Sequence, residues 1–189
     1  MPAPARKAAR AQPRLGVDEW RSAALRALAE EGIAAVAIEP LARRLGVTKG
    51  SGYWHFESRE DLLRASLDAW ETRMTDDVIA KLERLPDPVE RLTVLFREAF
   101  GRKMDGRIWL ALTGVKHPPF IADTLRRVSS RRIDYLTKCY EAIHGSGARA
   151  RHRAVIAYAA YLGVLTLQAH QTDTGDRDAF IDELIATLI

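Results

Sequence analysis

The stretch Ala37–Leu63, AIEPLARRLGVTKGSGYWHFESREDLL, decides the fold. Leu41, Ala42 and Leu45 recur at helical spacing and give a short first helix its apolar stripe. Gly46 ends that helix, because glycine accepts the left-handed backbone that a helix stop needs. Thr48 suits the N-cap of a second helix. That second helix is short and polar, from Lys49 to about His55, with Phe56 as its apolar anchor. Ser58 caps a third, and Asp61 stands three residues on, close to a capping box. Helix, glycine turn and short polar helix form the helix-turn-helix plan, whose second helix enters the DNA major groove.

On these residues the chain resembles the DNA-binding domain of the TetR (tetracycline-repressor-like) family of transcriptional regulators. The matching positions are Ala42, Gly46-Val47, Thr48, Lys49-Gly50-Ser51, Tyr53-Trp54-His55-Phe56 and Ser58-Arg59-Glu60-Asp61-Leu62. Beyond this stretch only length and helical character are similar. There are three departures. Ala37 stands where the family has a threonine cap, Arg59 replaces a lysine, and Gly52 replaces a large apolar anchor. A helical glycine costs about 1 kcal/mol against alanine, so Gly52 points to a recognition helix that is loose until DNA orders it.

Working outward, composition bounds the rest. The 189 residues are 47% hydrophobic and 29% charged, ordinary for a soluble globular chain. No apolar run is long enough to span a membrane, and the basic amino-terminal residues lack the apolar core of a secretory signal. The single cysteine, Cys139, excludes an internal disulfide and fits a reducing, cytoplasmic setting. The net charge of +4 is uneven. Residues 1–64 hold 11 basic and 8 acidic residues, whereas 65–189 hold 18 and 17. The excess therefore lies at the helix-turn-helix end, where phosphates would sit.

The expected organisation is a basic disordered tail over 1–16, a helix-turn-helix domain over 17–63 and an effector-binding and dimerisation domain over 64–189. The fold class is all-α, with about nine helices and no strand pattern. Asp18 to Glu31 reads as a bracing helix with Trp20, Ala24, Leu25 and Leu28 on one face. Ser58 to about Leu85 has no internal Gly or Pro and reads as one rigid rod. Asp87 caps the next helix, Asp105-Gly106 reads as a turn, and Asp176 caps the last helix. The helices over 149–171 and 177–189 are apolar on more than one side and need cover from several directions. The resemblance implies that they pack against their copies in a homodimer through Tyr158, Tyr161, Leu162, Leu165, Phe180, Ile181, Leu184 and Ile185. A purely intramolecular core is the alternative.

DNA contacts are expected from Lys49 to a guanine edge or a phosphate, from Thr48 and Ser51 to phosphate oxygens, and from the close backbone approach at Gly50. The resemblance makes Tyr53 and His55 phosphate contacts, and Trp54 and Arg59 extend the set. An apolar pocket for a small molecule is expected among Trp70, Met74, Phe96, Phe100, Met104, Trp109, His117, Phe120, Tyr135 and Cys139. For each of these residues, ordinary core is the competing reading. Catalytic, nucleotide and metal motifs are absent. No enzyme activity, cofactor, metal or membrane partner is therefore expected. The expected function is a DNA-binding transcriptional regulator, a repressor that a largely apolar effector releases from a palindromic operator. Two alternatives stay open: an effector-independent DNA-binding dimer, and a small-molecule-binding bundle whose DNA motif is degenerate.

Overall fold

The computed structural model describes residues 15–101, 103–114, 117–173 and 175–189. Every regular element among them is helical. The order is α1 (Val17–Glu31), a 3-10 turn (Ile33–Ala35), α2 (Ile38–Leu45), α3 (Lys49–His55), α4 (Arg59–Glu71), a π-helical turn (Thr72–Asp76), α5 (Asp77–Leu82), α6 (Pro88–Gly101), α7 (Lys103–Thr113), α8 (Pro119–His144), α9 (Ala148–Ala169) and α10 (Arg177–Leu188). With α4, the π turn and α5 taken as one rod, the described residues hold nine helices besides the 3-10 turn. The expected rod is thus continuous but not uniformly α-helical. The tail expected over 1–16 lies outside the described residues, apart from Leu15 and Gly16.

Local chemistry sets the helix ends. Gly46 stops α2 in the left-handed region (φ 68°, ψ 28°), its N–H reaching the carbonyls of Ala42 and Arg43. The Ser58 hydroxyl accepts from the Asp61 N–H at 3.1 Å, and the Asp61 carboxylate accepts from the Glu57 N–H at 3.1 Å. This is close to a capping box, with the N–H of Glu57, one residue ahead of the cap, in place of that of Ser58. Asp176 caps α10 by accepting from the Ala179 N–H at 2.8 Å. Thr48 occupies the N-cap position of α3, but its side chain makes no capping bond.

Two glycines act through close approach. A Cβ on Gly52 would lie 2.6 Å from Ile38 Cγ2 and 2.7 Å from Trp20 Cη2. The large side chain expected at this place in α3 is absent because Trp20, fully buried, fills the space from α1. The loose recognition helix anticipated from Gly52 is thus not what the packing produces. Gly106 lies inside α7 rather than in a turn, and a Cβ there would stand 2.5 Å from Leu165 Cδ2. Tertiary contact overrides the turn propensity of Asp105-Gly106, since Asp105 itself is held by three distant partners described below.

The core is continuous from the amino-terminal helices into the bundle. α1 packs against both α4 and α7, α8 pairs with α9, and α6 lies on α8, α9 and α10. Tyr140 donates to the Leu188 carbonyl at 2.6 Å, tying α8 to the end of α10. No helix among the described residues is long and apolar enough to cross a membrane. Nor do any His, Cys, Asp or Glu side chains among them form a group that could hold a metal ion.

Candidate functional site

The first candidate surface is α3. Thr48, Lys49, Gly50, Tyr53 and Trp54 are exposed, with Tyr53 at 52% and Trp54 at 80%. Ser51 and His55 are half-buried. A three-helix core beside them could have buried two aromatic rings, yet they point to solvent with Lys49, which pairs loosely with Glu39 at 3.1 Å. His55 turns the other way: its Nε2 meets the Leu15 carbonyl at 2.9 Å, fixing the chain just ahead of α1 to the end of α3. Arg59 is also occupied. Its Nε donates to the Val36 carbonyl at 2.7 Å and its Nη2 to the Ile33 carbonyl at 2.6 Å. These bonds satisfy carbonyls around the 3-10 turn, so Arg59 has a structural role while remaining exposed.

The second candidate is a cavity of about 70 Å³ between the π turn, α6, α8 and α9. That is room for about five waters, or a molecule of single-ring size. Of the residues expected to line a pocket, Met74, Phe96 and Tyr135 do so. Trp70, Phe100, Trp109 and Cys139 are buried behind the lining, as supporting core. Phe120 belongs elsewhere, to a polar groove between α4 and α8 where the Arg64 guanidinium sits 3.9 Å over its ring. His117 is outside the cavity lining, its ring nitrogens buried without a partner. The Met104 side chain lies outside the described residues.

The cavity holds a polar centre that sequence reasoning missed. Asp105 Oδ1 accepts from Trp70 Nε1 at 2.7 Å and from Arg132 Nη2 at 3.2 Å, while Oδ2 accepts from the Tyr161 hydroxyl at 2.7 Å. Arg132 also donates from Nε to Thr75 Oγ1 at 3.1 Å and from Nη2 to the Met74 carbonyl at 3.2 Å. One ion pair thereby joins α4, the π turn, α7, α8 and α9. Burial works to lower the Arg132 pKa, but the Asp105 carboxylate and the Tyr161 and Tyr158 phenols together outweigh it and the net shift is upward. Burial, followed by the same carboxylate, raises the pKa of the Tyr161 phenol, and burial raises that of Tyr158. Both phenols are protonated at neutral pH. One signal of this pair was present in the sequence: Arg132 lies between Val128 and Tyr135 on the apolar stripe of α8, where an unpaired charge is costly.

The residues expected at a dimer interface divide. Tyr158 and Tyr161 line the cavity, and Leu165 is buried against Gly106, so these three are corrected to intramolecular roles. Ile181 is buried as well, while Leu162, Phe180, Leu184 and Ile185 are half-buried. The exposed apolar face of α9 is instead Val155, Ile156 (60% exposed) and Leu167, with Ala159 and Gly163 between them.

Comparison with known proteins places this geometry. The pattern of bacterial regulatory proteins of the tetR family matches residues 21–66. The HTH-type transcriptional regulator BetI of Klebsiella pneumoniae is 31% identical over 133 residues, covering 64% of this chain and 68% of that protein. The chain belongs to the TetR family. BetI of Rhizobium meliloti is also 31% identical, over 93 residues, 47% of this chain. The chain spans about half the length of that curated relative, 46%. The same fold extends over solved structures. A regulator from Saccharomonospora viridis in complex with choline superposes with a TM-score of 0.73 at 22% identity, over 91% of this chain and 92% of that one. FadR from Bacillus subtilis in complex with stearoyl-CoA does so with a TM-score of 0.71 at 15% identity, over 92% and 98%. At these identities the likeness is one of fold.

Proposed function

We propose that this TetR-family chain is a transcriptional repressor that binds a palindromic operator as a homodimer and is released by a small molecule. The division proposed is residues 17–63 for DNA and 64–189 for effector and dimerisation. The observation that carries the DNA reading is the outward exposure of Tyr53 and Trp54 beside Lys49 on α3. Aromatic rings and a cation on one short helix suit a groove lined by phosphates and base edges. Thr48, Gly50 and Ser51 at the start of α3 complete the surface, and His55 contributes by fixing its end.

The second copy is placed on α9. Val155, Ile156, Ala159, Gly163 and Leu167 fall on one helical stripe, and the two small residues let a partner backbone approach closely. The regulatory reading is linkage: a ligand in the cavity presses on the Met74–Thr75 turn and on α7, which packs on α1. Operator and effector affinities are then reciprocally coupled.

The test is binding of the purified protein to DNA from upstream of its own gene and to a random-site library, at two salt concentrations. Sequence-specific binding that Lys49→Ala and Tyr53→Ala both weaken supports the proposal. Recovery of no preferred sequence, with binding lost uniformly in moderate salt, would overturn it.

A further inference from the structure

We infer that the cavity selects an uncharged ligand bearing one hydrogen-bond acceptor. The inference rests on the effector-cavity reading above and concerns which chemistry fits that cavity.

The charges at the cavity wall are already balanced. Asp105 and Arg132 pair at 3.2 Å, with side chains only 8% and 13% exposed. Glu98, at the cavity edge, pairs with Lys81. Asp105 is also engaged on both oxygens, with Trp70 and Arg132 donating to Oδ1 and Tyr161 to Oδ2. A cationic ligand would find that carboxylate occupied and the Arg132 guanidinium beside it. An anionic ligand would have to share Arg132 with Asp105. Either would place one unbalanced charge among side chains such as Val78, Leu95, Phe96 and Leu136, and an uncompensated buried charge is strongly disfavoured.

One polar group of the wall has no hydrogen-bond partner: the buried Tyr135 hydroxyl. It can donate to an oxygen or nitrogen acceptor on the ligand, whereas Arg132 is tied to Thr75, Met74 and Asp105 through Nε and Nη2. The hydroxyl of Tyr161 is committed to Asp105 and that of Tyr158 to Ser129 at 3.3 Å. Apart from these groups, Thr75 and the edge residue Glu98, the wall offers ring faces and aliphatic carbon. This chemistry departs from that of the two structural neighbours whose ligands are named, since choline is a cation and stearoyl-CoA an anion.

The test uses three probes with the same ring and different charge: benzyl alcohol, benzoate and benzyltrimethylammonium. Each is titrated into the full-length protein and followed by ligand-observed NMR and thermal shift. The expected result is saturable binding of benzyl alcohol, with both ions at least about tenfold weaker, a difference of about 1.4 kcal/mol. Asp105→Asn removes the balancing carboxylate and should turn the preference toward benzoate. Arg132→Gln should turn it toward benzyltrimethylammonium, so two variants with opposite expected signs guard against one that fails to fold. Equal or tighter binding of either ion to the unmodified protein overturns the uncharged class but leaves the effector cavity standing. Failure of all three probes to bind saturably overturns both.

Discussion

Gly52 of α3 and Trp20 of α1 are a matched pair: a methyl group on the glycine would lie 2.7 Å from the indole Cη2. The recognition helix therefore approaches α1 more closely than any side chain at position 52 would permit. Gly52→Ala should improve helix propensity by about 1 kcal/mol, yet overpacking against Trp20 and Ile38 costs about 1–3 kcal/mol. Net destabilisation is expected in urea unfolding. Combining it with Trp20→Phe should return part of the loss, and a stabilised Gly52→Ala single variant would refute the pairing.

Lys49 and Arg59 carry the same charge and should behave differently. Lys49→Ala should leave stability nearly unchanged and reduce the slope of log affinity against log salt by about 1. Arg59→Ala should instead lower the melting temperature, because the Val36 and Ile33 carbonyls lose their donors, at about 1–3 kcal/mol for a bond to a charged group. Salt titrations of operator binding beside thermal melts separate the two roles. An Arg59→Ala variant that is fully stable but has a reduced salt slope would return Arg59 to the DNA surface.

The Asp105–Arg132 pair is a second stability test. Removing one partner strands a buried charge, so Asp105→Ala should cost about 3–5 kcal/mol. Asp105→Ala with Arg132→Met removes both charges and should recover much of that loss. Additive losses in the double variant, measured by denaturant unfolding, would show that the two residues act independently.

Alkaline pH should unfold the protein early. The Tyr140 phenol is pushed up from 10.0 to about 12 by burial, and Tyr158 and Tyr161 are raised as well. Cys139 is raised from 9.0, again by burial. For groups held neutral in the fold, stability is complete below the unfolded pKa. It falls as pH rises, because the unfolded chain releases protons first. The urea midpoint should be flat to about pH 9 and decline through the window from 10 to 12, each raised phenol adding about 1.4 kcal/mol per pH unit. Tyr140→Phe should make that decline shallower, and an unchanged slope would remove Tyr140 from the account.

Ile156→Glu on the exposed face of α9 should produce a monomer in sedimentation velocity without loss of helical content. Tyr158→Phe, facing inward, should leave the oligomeric state intact. A dimer that survives Ile156→Glu would place the interface elsewhere.

The helical succession was legible in the sequence because it rests on local chemistry: Gly46, Ser58 and Asp176 act within four residues of themselves. The cavity was only partly legible. Met74, Phe96 and Tyr135 showed as apolar residues at helical spacing, but the choice between lining and support depends on how four segments meet. Trp70 and Trp109 fall behind that wall for reasons no local pattern carries. Asp105 misled most, since its turn propensity is overridden by partners 27, 35 and 56 residues away. The faces of α9 were misassigned for a related reason. Its composition announces that several sides are covered, but Leu165 turns inward only because Gly106, on another helix, makes room.

The bond from His55 to the Leu15 carbonyl has a practical corollary for anyone handling the protein. It brings the chain entering α1 to the edge of α3, so an affinity tag or fluorophore joined directly to Leu15 in place of residues 1–14 would start beside the proposed DNA surface. Its bulk would interfere with measurements of operator affinity, and an acidic tag would compete with phosphate for Lys49. The end of α10 is anchored through Tyr140 to α8, in the other half of the molecule, and a label following Ile189 would leave α3 unencumbered.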